Sequence, residues 1–192
     1  MSLPSWCAAV SVVLALSVGS ARAGQCDGVS FPDHVTVQGR SLTLNGLGIR
    51  KATFLRIKVY VAALYLAQPS GDAPAILAAH EPSEIVLHFL WSASASQLRG
   101  AWRDGFDRSA AGEQAQLKSR IAQFLAWMHG VKSGQRMTFV HVPGQGIEYR
   151  LEGVPQGTIA GEDFASAFFG IWLGRSPPGR ALKAGLLGGK CQ

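Results

Sequence analysis

The chain of 192 residues predicts an α+β fold, a large antiparallel sheet with its helices gathered on one face. Apolar residues alternate with period two from Val35 to Leu66 and again between Met137 and Ile159, as half-buried strands require. Between these blocks the period changes. Leu98, Trp102 and Phe106, then Leu117, Ile121, Phe124, Leu125 and Met128, recur at helical spacing. Strands grouped in two blocks, with helices between and after them, pack as one sheet carrying one helical layer. At this length a single domain buries most of its apolar surface around one core.

In chain order, Val35-Thr36-Val37 and Ser41-Leu42-Thr43-Leu44 flank a turn at Gly39, and Asn45-Gly46 predicts a second tight turn leading to Ile57–Leu66. That last run is rich in β-branched and aromatic residues and has Lys58 as its only charge, so it predicts a central strand covered on both faces. Tyr60 and Tyr65 have opposite parity on it and face opposite sides. A Pro/Gly-rich connector from Pro69 to Pro74 leads to a short helix, Ala75–Ala79, and a strand, Glu84–Trp91. Two amphipathic helices follow, the first capped by Ser94 or Ser96, with Gly112 between them. The second strand block turns at Pro143-Gly144-Gln145-Gly146. Phe164, Phe168, Ile171 and Trp172 mark one terminal helix, and Leu182, Leu186 and Leu187 mark another beyond Ser176-Pro177-Pro178-Gly179.

Residues 7–18 form an apolar stretch but fall short of the roughly 20 residues a bilayer span needs. The small-x-small tripeptide Ala21-Arg22-Ala23 follows. The expectation is a cleavable signal over residues 1–23, a single domain over 24–192 and a periplasmic location, with an uncut amino-terminal anchor as the alternative. Of the 3 cysteines, Cys7 lies in the signal, which leaves Cys26 and Cys191 as a pair. In an oxidising compartment a disulfide between them restrains the unfolded chain over nearly its whole length, worth several kcal/mol in the chain-entropy model. Two free thiols are the other possibility.

Lys+Arg number 18 against 12 Asp+Glu, a formal charge of +6. The basic residues are scattered, in pairs such as Arg50/Lys51, Arg56/Lys58 and Arg99/Arg103, with no run of four, so a nucleic-acid partner is not expected. The chain has no Walker loop, GxSxG elbow, HExxH or CxxC motif. His34, His80, His88, His129 and His141 are far apart in sequence, and neither a metal nor a cofactor is expected.

Arg50, just past Gly46-Leu47-Gly48, is the strongest candidate for a ligand contact, because a guanidinium holds a carboxylate or a developing enolate or phenolate with two parallel bonds. Its alternative is an exposed position beside Lys51. Tyr60 is either a satisfied core tyrosine or a pocket donor. Trp102, Trp172 and the Phe168-Phe169 pair either pack the core or line an apolar cavity between helices and sheet. Arg99 and Arg103 predict a solvated helix face, with Asp107 one turn beyond Arg103.

Five blocks in order, Gly28-Val29-x-Phe31-Pro32, Leu44-Asn45-Gly46-x-Gly48-x-Arg50, Lys58-Val59-Tyr60-Val61-Ala62-x-Leu64-Tyr65-Leu66, Pro143-Gly144-x-Gly146 and Ile171-Trp172-Leu173-Gly174-x-x-Pro177, resemble the bacterial chalcone isomerase-like family. The resemblance spans about Gly28 to Gly188. It implies an open-faced β-sandwich, a large antiparallel sheet covered by a helical layer with a ligand cleft between them. In the isomerases an arginine at the position of Arg50 holds the reacting phenolate. A threonine that positions water is replaced here by Tyr60, and the Tyr, Lys and Asn of the following helix correspond to Leu98, Ala101 and Gly105. Without those donors cyclisation loses its positioning and its hydrogen bonds.

The resemblance therefore implies a largely non-catalytic protein that binds a small amphipathic carboxylate such as a fatty acid, with Arg50 on the head group, Tyr60 donating to it, and Trp102 and Phe168 on the walls. Two alternatives remain. One is an isomerase or intramolecular lyase acting on an enone or lactone, with Arg50 and Tyr60 as catalytic residues. The other is an accessory of an envelope complex, docking a protein partner through its carboxy-terminal helices.

Overall fold

Alternation over the first strand block builds β1 (Ala23–Cys26), β2 (Val29–Pro32), β3 (His34–Val37), β4 (Arg40–Ala52) and β5 (Ile57–Leu66); the helix α1 (Ala73–Ala78) precedes β6 (Ser83–Phe89). The two amphipathic segments are α2 (Ala95–Ser109) and α3 (Gln114–Ala126), followed by β7 (Arg136–Val142), β8 (Gly146–Leu151), β9 (Val154–Ile159), α4 (Glu162–Leu173) and α5 (Arg180–Leu186). This computed structural model describes residues 23–52, 55–110 and 114–192. The expected signal segment, apart from Ala23, lies outside the described residues, as do Cys7 and Gly112.

β3 to β9 form one seven-stranded antiparallel sheet in sequence order, and β1 and β2 form a separate hairpin. The open-faced sandwich is thus present, with its helices on one face. Ala62, Leu64, Ile85, Leu87 and Phe139 point to that face, into a core shared with α2, α3 and α4. α2 starts on a capping box in which the Ser94 side chain and Gln97 satisfy each other's backbone amides. Most of α4 is buried, from Phe164 to Leu173, because it is packed between the sheet and the other helices. Leu182 and Leu186 of α5 are buried within the chain's own core.

The opposite face is not bare. Val61, Ala63 and Tyr65 of β5 pack there with Phe31, Leu42 and Cys26 beneath the β1–β2 hairpin. The Tyr65 hydroxyl donates to the Pro32 carbonyl at 3.0 Å, and a disulfide joins Cys26 to Cys191 across 165 residues. β5 is therefore the central strand that its composition predicted, with Tyr60 and Tyr65 on opposite sides.

One expectation fails. Asn45-Gly46 is not a turn but the middle of the 13-residue strand β4, with a register shift between Leu44 and Gly46. Both residues serve α5 instead. The Asn45 side chain donates to Leu186 O (2.8 Å) and Ser70 O (3.0 Å) and accepts from the Ser70 amide (2.7 Å). A Cβ at Gly46 would lie 2.1 Å from Gly185 O, and one at Gly48 would lie 2.5 Å from Leu182 O. The glycines let α5 rest on the strand backbone itself, and turn chemistry is not needed.

Two predictions follow from this packing. Gly46→Ala forces the strand and α5 apart and destabilises the protein by about 3 kcal/mol in urea unfolding; a loss under about 0.5 kcal/mol would show that the contact yields easily. The second concerns Glu84, buried on the hairpin face, where desolvation pushes its pKa up to about 7, opposed by Arg150 and reinforced by Glu148. A carboxyl raised in the folded state binds more protons there than in the unfolded chain, so this contribution to stability is lost as pH rises from about 4.5 to about 7, by at most about 3 kcal/mol. Glu84→Gln should flatten the pH dependence of unfolding free energy over that window, and an unchanged slope would refute the assignment.

Candidate functional site

β4 and β5 pair so that Arg50 lies directly opposite Tyr60, which places their Cβ atoms about 5 Å apart on one face. It is the helix face, since Tyr60 packs against the helical core. Arg50 Nη1 donates to the Pro178 carbonyl at 2.7 Å and to its neighbour Lys51 O. Pro178 precedes α5, so the helix that rests on Gly46 and Gly48 also delivers the carbonyl that orients the guanidinium. Among the described residues no carboxylate lies within ion-pair reach of Arg50.

Trp172 of α4 donates its indole N–H to the Tyr60 hydroxyl at 3.0 Å. That bond occupies an acceptor site of the phenol and leaves its own proton free to donate elsewhere. The Tyr60 ring meets Phe89 edge-on at 5.7 Å. Burial pushes the phenol's pKa up, against smaller opposing effects from the Trp172 bond, Arg50 and Arg108. Tyr60 is thus a neutral donor at physiological pH and not a base.

These groups border a cavity of about 440 Å³ whose lining includes Leu87 and Phe89 of the sheet, Leu98, Ala101 and Trp102 of α2, and Ile171 and Trp172 of α4. Its surface is mainly apolar, and its charged lining residues among the described ones are Arg50, Arg108 and Asp104. Trp102 forms the partition between this space and the solid core, with Phe124 and Phe139 each 5.1 Å away and Phe168 stacked at 5.4 Å. Arg50, Tyr60 and Trp102 of the four predicted ligand residues therefore share the cavity, whereas Phe168 is fully buried one layer behind Trp102.

Sequence reasoning overlooked Trp91, Asp104, Arg108 and Pro178. Trp91 follows Phe89 at strand period, and Ala101, Asp104 and Arg108 form a helical stripe beside Leu98 and Trp102, so both patterns held a signal. Pro178 is brought in by tertiary packing alone. Elsewhere, Arg99 is not wholly on a solvated face, because it donates to Met128 O at 3.2 Å and ties α2 to the end of α3. Nor are all the histidines isolated: His141 meets the Glu162 carboxylate at 2.9 Å and His80 lies 3.6 Å from it. A second cavity of about 390 Å³ lies by α1, with Arg40 and Glu81 in its lining. Those two are paired with each other at 2.7 Å.

A family model for chalcone isomerase-like proteins matches residues 23–188. The chain belongs to the chalcone isomerase-like family. Its structure is similar to the crystal structure of a fatty-acid binding protein of Arabidopsis thaliana, with a TM-score of 0.74 and 15% sequence identity over 86% of this chain and 96% of that one. No curated protein sequence matches significantly. In this chalcone isomerase-like chain, the positions set against the isomerases' helix donors are structurally filled: Leu98 and Ala101 are apolar walls, and a Cβ on Gly105 would sit 3.1 Å from Ile171. A side chain at Gly105 would press on the Ile171 side chain, which would have to shift to admit it.

Burial raises the pKa of Tyr60, Tyr65 and Tyr149 above the ordinary 10.0, and these are all the tyrosines of the chain. At pH 10 the folded protein should therefore show little tyrosinate absorbance near 295 nm, while the urea-unfolded chain is about half ionised. Half-ionisation of the folded protein at that pH would show that burial does not raise these phenols.

Proposed function

We propose that this protein is an exported, non-catalytic carrier or sensor of a small amphipathic carboxylate, such as a fatty acid, bound between sheet and helices in the periplasm. The observation that carries this is the pairing of Arg50 with a proton-donating Tyr60 at the border of an otherwise apolar cavity. An acid head group there receives a charge-assisted bond from Arg50 and a second bond from Tyr60. Its hydrocarbon tail lies against Leu98, Trp102 and Ile171, with Phe168 holding Trp102 in place. The likeness to a fatty-acid binding protein supports the same reading, and the amino-terminal pattern and the Cys26–Cys191 disulfide support export.

The magnitudes are adequate. The cavity falls in the range of about 300–1,000 Å³ typical of small-molecule sites. Burying ten methylenes contributes about 8 kcal/mol, and the head-group bonds add about 2–3 kcal/mol. Set against an association cost of at least about 4 kcal/mol, these leave at most about 6–7 kcal/mol, a Kd on the order of 10 µM. An intramolecular addition would need further polar groups around the reacting atoms, and the positions that supply them in the isomerases are occupied by Leu98, Ala101 and Gly105.

The test is native purification from the periplasm, organic extraction and mass spectrometry, with Arg50→Ala in parallel. A stoichiometric acid in the wild type, lost or reduced at least tenfold in the variant, is the expected result. Tyr60→Phe should weaken binding about fivefold, as loss of one hydrogen bond does. An empty wild-type protein that also fails to bind added dodecanoate would overturn the proposal.

A further inference from the structure

The described residues expose three large hydrophobic side chains, Leu55 at 65%, Trp91 at 59% and Val154 at 60%. Single exposed apolar residues are ordinary. The first two, however, both stand near one cavity. Trp91 lines the cavity, and its amide donates to Val59 O at 3.3 Å, which fixes it beside β5. Ala52 and Ile57 face each other across β4 and β5 and form the lip of the same cavity. Leu55 stands just before Ile57, at the far end of that hairpin.

The hairpin segment that forms this lip carries charge of one sign. From Arg50 to Lys58 the chain carries Arg50, Lys51, Arg56 and Lys58 and no acid. Lys51 and Lys58 are direct register partners, an arrangement that costs stability through like-charge repulsion. Asp27 relieves Lys58, but Lys51 and Arg56 have no anionic partner among the described residues. Asp104, the one acid lining the cavity among the described residues, lies a helical turn from Arg108, also in the lining.

We propose that the cavity mouth, with Leu55 and Trp91 at its lip and Lys51 and Arg56 beside them, docks on an anionic lipid bilayer. A tryptophan with an apolar body and a polar edge settles at the level of the head groups. A leucine buries beyond them, and each cation held near an anionic surface strengthens the association about fivefold. Docked this way, the opening faces the hydrocarbon, and an acyl chain passes between bilayer and cavity without crossing water. That last step rests on the carrier reading; the docking itself does not.

Flotation of the full chain with vesicles of phosphatidylcholine containing 30 mol% phosphatidylglycerol tests this, with pure phosphatidylcholine as the reference. Wild type should partition at least tenfold more strongly onto the anionic vesicles. The double variant Leu55→Ser/Arg56→Glu, compared in the same processed form, should lose at least tenfold, and salt should weaken the wild type. Brominated lipids should quench tryptophan fluorescence in the wild type, and markedly less so in Trp91→Phe. Equal partitioning of the double variant and wild type, or undiminished quenching in Trp91→Phe, overturns the docking surface.

Dodecanoate binding in vesicle-free buffer separates the two proposals. Leu55 and Arg56 do not line the cavity, so the double variant should bind dodecanoate as the wild type does. Dodecanoate binding with indifference to vesicles sinks docking and leaves the carrier; charge-dependent docking without dodecanoate binding does the reverse.

Discussion

The contact between α5 and β4 is the constraint on which the rest of the structure depends. A helix ordinarily packs on a sheet through two layers of side chains; here Gly46, Gly48 and Gly185 remove those layers, and backbone approaches backbone. The Asn45 amide closes the seam by satisfying the Leu186 and Ser70 carbonyls and the Ser70 amide. Because α5 is seated this deeply, the segment that leads into it passes over Arg50 and offers the Pro178 carbonyl to the guanidinium. A sequence feature chosen by packing thus orients a cation that faces the cavity from the sheet.

The aromatic core sets where the cavity begins. Phe106, Phe124, Phe139, Phe164 and Phe168 interlock around Trp102 at centroid distances of about 5–6 Å, which leaves no space for a ligand on that side. Trp172 completes the wall and at the same time holds the Tyr60 hydroxyl. Solid packing on one side of Trp102 and open space on the other give a rigid wall behind a site that must accept a flexible tail, and that division lowers the ordering cost of binding.

The fold was legible because its signals are local and repeated. Period-two alternation located the strand blocks, and four-residue recurrence located α2 and α3, since burial on one face imposes those periods directly. The double coverage of β5 could be inferred from its having Lys58 as its only charge. Asn45-Gly46 misled because the dipeptide answers two demands, a tight turn and a close approach, and only the three-dimensional position of α5 distinguishes them. At the site, Arg50, Tyr60 and Trp102 were visible through residue type, parity and helical spacing. Pro178 as the partner of Arg50 and Trp172 as the partner of Tyr60 are separated from them by more than a hundred residues, and no local pattern encodes such pairings. Phe168 was indistinguishable from a cavity residue because core and cavity walls draw on the same apolar stripe.

The disulfide between Cys26 and Cys191 has a mechanical consequence. It joins the β1–β2 hairpin to the tail behind α5 and encloses 165 residues of sequence, so the whole seven-stranded sheet lies inside one covalent ring. A pull on the two ends of the chain passes through the sulfur bridge and never reaches the hydrogen-bonded strands. A translocase or a protease that works by threading from an end would meet a double strand of polypeptide at Cys26 or Cys191. Only after the bridge is reduced does the sheet become something that can be unravelled from its ends.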